Sequence, residues 1–142
     1  MLLHVVAVGR IGRSPEAELV TRYAARLGTS LKITELSEGR AAARLPAPLM
    51  PARTVVLDER GRALASDALA AQLGRWRDDG VREVRFLIGG ADGHDAATRD
   101  GADLLLSFGP ATWPHMMVRA MLAEQLYRAT SILANHPYHR GD

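Results

Sequence analysis

The chain has 142 residues, 47% of them hydrophobic, which suits a single folded domain with a sizeable core rather than disorder. It contains no cysteine, which removes disulfides, thiolate catalysis and Cys-ligated metals. A formal net charge of +2 argues little for nucleic acid. No run approaches the roughly 18 apolar residues of a membrane-spanning helix, and the N-terminus lacks a signal-type pattern, so membrane insertion and export are not expected.

Leu2 to Val8 is a continuous apolar run containing His4 and ending at Gly9, which predicts a buried strand. Ser14, Pro15 and Glu16 then offer a cap, a first-turn proline and an acidic first turn. They predict a helix to about Leu27, with Leu19, Tyr23 and Leu27 on one face and Gly28 as its stop. Leu31 to Leu36 sets Leu31, Ile33 and Leu36 against Lys32 and Glu35, as a strand covered on one side. From Ser37 to Arg53, Pro46, Pro48 and Pro51 forbid a long helix and leave room for a helical turn over Ala41 to Leu45. This stretch is a connection, since neither flank is long enough to stand alone.

Thr54 to Leu57 reads as a short strand, with Asp58 to Arg62 as a polar turn off its end. Ser66 and Asp67 are expected to cap a helix to about Arg77 that buries Leu69, Leu73 and Trp76 and closes at Gly80. Val84 to Ile88 is a strand, Asp95 to Asp100 a short helix with His94 as a candidate cap, and Ala102 to Leu106 the last strand. The long final helix covers about His115 to Ser131, with Val118, Leu122 and Leu126 on one face. Met116, Met117 and Met121 make that helix apolar over more than one face, as a subunit contact would require. The alternation predicts one α/β domain over residues 1–142, a mainly parallel sheet with helices on both faces. Ligands of such sheets sit beyond the C-terminal strand ends, so the loops after Leu57, Ile88 and Leu106 are expected to converge.

Three segments carry candidate chemistry. Gly89-Gly90-Ala91-Asp92-Gly93 follows a strand directly, and adjacent glycines let a ligand approach the backbone. Its spacing is neither GxGxxG nor a Walker loop, and it reads as a cofactor loop or a plain turn. Ser107 to His115 places Gly109, Pro110 and Pro114 before the longest helix. It either exposes backbone groups able to read an adenine edge or is an irregular connection with Trp113 packed on the core. His136, Tyr138, His139 and Arg140 cluster in a tail anchored by Ile132 and Leu133, where histidine can accept a proton and arginine can bind phosphate. No carboxylate or cysteine completes a metal site with His136 and His139, so no metal is expected. His4 reads as a hydrogen-bonded core residue, and Glu124 with Arg128 as an ordinary pair four residues apart. Of the 18 basic residues all but Lys32 are arginine, which suits phosphate recognition but is also what GC-rich coding produces.

Val5-Val6-Ala7-Val8-Gly9, Leu57-Asp58, Phe86-Leu87-Ile88-Gly89-Gly90 and Thr112-Trp113-Pro114-His115 resemble, in order, the ribosomal RNA large subunit methyltransferase H family. So do Glu124-Gln125-Leu126-Tyr127-Arg128-Ala129 and the ending Asn135-His136-Pro137-Tyr138-His139-Arg140. The resemblance spans essentially the whole chain and implies a SPOUT-type domain with a C-terminal trefoil knot, which works as a cytoplasmic homodimer. It implies methyl transfer from S-adenosylmethionine to N3 of a pseudouridine in helix 69 of 23S rRNA, on the assembled ribosome. By motif, Leu57, Gly90, Gly109, Pro110, Ala111, Thr112, Trp113 and Pro114 would contact the methyl donor. Arg128, Tyr138 and His139 would form the catalytic side, Arg128 and Arg140 would meet RNA, and a partner subunit would complete each site. Two features depart from the family: Gly109 replaces the second hydroxyl of a Ser-Leu-Ser-like segment, and the Gly39 to Arg53 connection is shorter than usual.

Overall fold

A computed structural model describes residues 1–37 and 45–141. Its five strands are β1 (Leu2–Val8), β2 (Leu31–Leu36), β3 (Ala52–Ala63), β4 (Glu83–Ile88) and β5 (Leu104–Ser107). All pair in parallel, in the order β2-β1-β4-β3-β5. Four helices join them: α1 (Pro15–Leu27), α2 (Ser66–Asp78), α3 (Ala96–Asp100) and α4 (His115–Leu133). The parallel α/β architecture is the one expected. The helical turn proposed over Ala41 to Leu45 falls, apart from Leu45, outside the described residues.

Strand alternation divides the sheet into two faces. Leu3, Val5 and Ala7 of β1, Val55 and Leu57 of β3, and Val84, Phe86 and Ile88 of β4 point into one core. There they meet Leu69, Leu73 and Trp76 of α2 and Leu122, Leu126 and Ala129 of α4. α4 packs between α1 and α2, and its apolar stripe is the reason: Leu122, Leu126 and Ala129 have no exposure at all. α1 starts as its sequence signals, with Ser14 Oγ accepting from Ala17 N at 3.0 Å.

Three local expectations are corrected. β3 does not stop at Leu57: both Leu57 and Arg62 pair with Leu106, so the residues between them bulge out and the strand resumes to Ala63. Gly61 permits this, because a Cβ there would lie 2.6 Å from the Leu105 backbone. Ser66 does not cap α2; Ala65 holds the cap position, and Ser66 Oγ instead donates to Gln125 Oε1 of α4 at 2.7 Å. On the outer strand β2, Ile33 stays 38% exposed, while Thr34 turns toward β1 and meets His4 Nε2 at 2.7 Å.

The second face is closed differently. Buried His4, Glu83 and Arg85 form a polar network there, with His4 Nδ1 3.3 Å from Glu83 Oε2 and Arg85 donating to both Glu83 and the Pro46 carbonyl. Leu49 N also donates to Glu83 Oε1 at 3.3 Å, so the network ties the proline-rich connection to the sheet. Burial holds the His4 imidazole below its ordinary 6.5, partly offset by the Glu83 carboxylate. Burial pushes Glu83 up, but hydrogen bonds from Arg85, the Leu49 N–H and His4 outweigh it and hold the carboxyl below 4.5.

Both shifts are downward, so the unfolded chain takes up these protons first. The His4 contribution to stability falls as pH drops below 6.5, and that of Glu83 falls below 4.5. The urea midpoint is therefore expected to decline from about pH 7.5 to 5.5 and more steeply below 4.5. In His4→Gln the decline above about pH 5.5 should become shallower, leaving the share of His94, which burial also lowers; an unchanged slope there would show that His4 is not a source of it.

Candidate active site

The bulge of β3 and the loops that follow β4 and β5 meet at one edge of the sheet and enclose a cavity of about 310 Å³. Each is shaped by its own sequence. After β4 the chain reverses through Gly89–Gly93, where Gly93 N donates to Gly90 O at 3.0 Å. A Cβ on Gly89 would stand 2.9 Å from the Gly93 backbone, so only glycine allows this hairpin to close. In the β3 bulge, Asp58 Oδ1 accepts from Arg60 N at 2.9 Å and its other oxygen lies 4.0 Å from Arg99. After β5, Ser107 Oγ both accepts from Gly109 N at 3.0 Å and donates to Gly109 O at 2.7 Å, locking the turn into the next segment. Thr112 Oγ1 donates to Glu59 Oε2 at 2.9 Å and so ties the β5 loop to the β3 bulge.

Of the sequence-derived candidates, Leu57, Gly90, Gly109, Ala111, Thr112 and Trp113 line this cavity. Pro110 and Pro114 do not; Pro114 sits at the cap of α4, where its carbonyl accepts from Val118 N. Trp113 is 41% exposed and donates from Nε1 to Phe108 O, so it forms cavity wall and not core. Sequence reading expects the loop beginning at Asp58 and the Pro114-His115 helix entry here but does not name Asp58, Glu59, His94, Arg99 or His115 as site residues; all five line the cavity. For Asp58 and Glu59 the available signal is their place in a polar stretch directly beyond a strand end. His94 does not cap α3, because Asp95 Oδ1 does so at Thr98 N; His94 Nε2 instead meets Leu87 O at 3.2 Å. Burial holds the His94 imidazole below its ordinary value. His115 lines the cavity, and its buried Nδ1 makes no hydrogen bond among the described residues.

The tail residues assemble elsewhere. Arg128 Nε donates to Glu124 Oε1 at 2.7 Å, and Arg128 Nη1 donates to His139 Nδ1 at 3.0 Å. That geometry leaves the imidazole proton on Nε2, which lies 3.7 Å from Asp67. Tyr138 covers the Arg128 guanidinium, packs edge-on to Tyr127 with ring centres 4.7 Å apart, and donates to Glu124 Oε1 at 3.2 Å. Partial burial, then Tyr23 and Glu124, push the Tyr138 phenol well above its ordinary value, so it stays protonated. The Glu124–Arg128 pair is thus a partly buried anchor for the tail rather than a plain surface pair. Arg140 Nη2 reaches the Asn135 carbonyl at 3.5 Å, and His136 Nδ1 accepts from Tyr138 N. Among the described residues, no group of three or more His, Asp or Glu side chains is placed to hold a metal.

Helical rise separates the two groups. At about 1.5 Å per residue, α4 carries Arg128 roughly 20 Å from His115, so one chain does not bring the tail to its own cavity.

A family model described as "Predicted SPOUT methyltransferase" matches residues 1–139. The chain is 68% identical over 140 residues to a protein of Novosphingobium aromaticivorans named ribosomal RNA large subunit methyltransferase H, covering 99% of each chain. A protein of the same name from Erythrobacter litoralis is 64% identical over 140 residues, again covering 99% of each. Among solved structures, a probable methyltransferase from Bordetella pertussis is similar with a TM-score of 0.56 at 13% identity, covering 89% of this chain and 95% of the other. The SpoU methyltransferase AviRb from Streptomyces viridochromogenes, solved with AdoMet, gives 0.52 at 18% identity, covering 91% and 58%. These last two concern the fold alone.

Since Glu124 receives both Arg128 and Tyr138, Glu124→Ala is expected to loosen the tail without unfolding α4. Amide exchange should accelerate over 138–141 while the middle of α4 keeps its protection; unchanged exchange in the tail would contradict this anchoring.

Proposed function

We propose, from the premise that this chain belongs to the SPOUT methyltransferase family and to its ribosomal RNA large subunit methyltransferase H members, that it methylates 23S rRNA in the assembled ribosome. The finer reading is transfer of a methyl group from S-adenosylmethionine to N3 of a pseudouridine in helix 69, by a cytoplasmic homodimer with the family's C-terminal knot. The observation that carries it is the cavity built jointly by the β3 bulge, the Gly89–Gly93 hairpin and the 107–115 segment, where the family motifs converge.

The residues present fit the methyl donor. The volume is that of a small-molecule site, which runs from about 300 to 1,000 Å³. Asp58 and Glu59 in the wall suit a sulfonium cation, and Gly89 and Gly90, without side chains, leave backbone accessible. Leu57, Gly90, Gly109, Ala111, Thr112 and Trp113 would hold the molecule, with Pro110 and Pro114 shaping the loop from outside the cavity. Bound there, S-adenosylmethionine supplies an activated methyl group and leaves as the neutral thioether.

The protein's own tasks are alignment and proton removal. The N3–H of the target nucleobase must lose its proton as N3 forms its bond to carbon. His139 receives that proton at Nδ1, the position now occupied by the Arg128 N–H. Arg128 therefore has to turn to an RNA phosphate for His139 to act, so RNA binding itself frees the proton acceptor. Tyr138 stacks against the target nucleobase, and Arg140 holds the backbone beside it.

The homodimer is supported by two features. The tail and the cavity lie at opposite ends of α4, so a second copy has to bring its tail to this cavity. An apolar groove lined by Leu19, Met117, Ala120 and Met121 between α1 and α4 suits such a contact. Among the described residues no helix is long and apolar enough to cross a membrane.

The decisive experiment maps N3-methylated pseudouridine in ribosomes from a strain lacking this protein, with and without its restoration. Helix 69 methylation is expected only on restoration, and identical helix 69 in both would overturn the substrate. In single-turnover assays His139→Ala should slow transfer by about 10²–10⁴-fold with cofactor affinity retained. A retained rate would remove His139 from the proton path. Gly89→Ala should weaken S-adenosylmethionine binding at least about tenfold by calorimetry, since its Cβ meets the Gly93 backbone. Wild-type affinity in that variant would show that the hairpin is not the donor site.

A further inference from the structure

Most arginines of this protein are engaged, from the buried Arg119 to the exposed Arg77. Among the described residues, the side chains of Arg10, Arg13, Arg22, Arg60 and Arg62 make no hydrogen bond, ion pair or ring contact. Their distribution is uneven. Arg10 and Arg13 follow the C-terminal end of β1, while Arg60 and Arg62 lie in and just after the bulge of β3. β1 and β3 are the two neighbours of β4, whose end carries the Gly89–Gly93 hairpin. Four of the five therefore lie on, or just beyond, the two strands that border β4.

The β1 side is built to present its pair. Ala7 is in register with Ile88, so the chain leaves β1 and β4 at the same height, about 5 Å apart. The loop beyond is braced at several polar points. Gly9 N donates to Leu36 O at 2.7 Å, Ile11 N donates to Glu35 Oε2 at 2.8 Å, and Arg119 Nη2 donates to the Val8 and Gly9 carbonyls at 2.9 and 2.7 Å. Arg10 adds a small share to the lowering of Glu35, whose carboxylate is bonded to Arg119 and to Ile11 N. Arg10 and Arg13 are left exposed on a rigid backbone, with no acid bonded to either.

We infer that Arg10 and Arg13 grip backbone phosphates of the RNA on either side of the target nucleobase, holding it over the cavity mouth. A planar, permanently charged fork on a fixed loop suits phosphate, and such contacts set register without reading sequence. This rests on the RNA-methylating reading above and adds a substrate-binding surface outside the tail. Arg60, which lines the cavity on the opposite flank, extends the same positive rim.

The test compares the full-length protein with R10Q/R13Q and R10K/R13K in equilibrium binding to purified ribosomes across a series of salt concentrations. In the glutamine variant binding should weaken and the slope of log K against log salt should fall by about 2, roughly one unit for each phosphate no longer neutralised. The lysine variant should regain most of that slope, because a point charge still meets phosphate. Calorimetric affinity for S-adenosylmethionine should stay at the wild-type value in both, since neither side chain lines the cavity. Ribosome binding by R10Q/R13Q with unchanged affinity and slope would overturn this inference while leaving the methyltransferase reading intact. A wild-type protein that does not bind ribosomes would overturn both.

Discussion

Arg119 is a charged side chain buried in the second turn of α4, with its Nε lacking a partner among the described residues, and moving such a group out of water costs several kcal/mol unless its charge is paired. Its guanidinium meets Glu35 at 2.6 Å and the carbonyls at the end of β1. Those partners sit on β1 and β2, so the pairing sets how far α4 slides along the sheet. Everything functional on α4 follows from that position. One end delivers His115 to the cavity wall, and the other holds Glu124 and Arg128 where the tail folds back. The same contact stiffens the loop that carries Arg10 and Arg13.

Charge is sorted around this frame. Asp58 and Glu59 of the β3 bulge line the cavity beside Arg60 and Arg99, while Arg10 and Arg13 stand beyond the end of the neighbouring strand β1. A cationic methyl donor and a polyanionic substrate need opposite surroundings only a few ångströms apart. Parallel strands make that possible, because they bring the loops at successive strand ends to one edge of the sheet. The aromatic group of Tyr23, Tyr127 and Tyr138, with Arg26 beside all three rings, forms a separate platform at the far end of α4.

Local chemistry accounts for what could be read in advance. The strand over Leu2–Val8 and the helix over Pro15–Leu27 match because a strand buried on both faces is uniformly apolar and a Ser-Pro-Glu start satisfies the first helical turn by itself. Leu57, Gly90 and Thr112 lie at one cavity because parallel topology puts strand ends together. The misreadings share a cause. Asp58 to Arg62 looks like a turn by composition, but pairing with β5 draws Arg62 and Ala63 back into the sheet. Ser66 has the side chain of a cap, but Gln125 of α4 takes its hydroxyl. His94 precedes a helix, but burial aims it at the Leu87 carbonyl.

By itself, then, the sequence determined the order and type of elements, the strand-end loops and, through its motifs, the family. Those are properties of neighbours along the chain: periodicity, capping residues and glycine punctuation. Only the tertiary structure decided that Glu124 and Arg128 anchor the tail, that His115 has a buried nitrogen without a partner, and that the tail lies a helix length from its own cavity. Each depends on contacts between residues far apart in sequence, such as Arg119 with Glu35, and no local pattern encodes them.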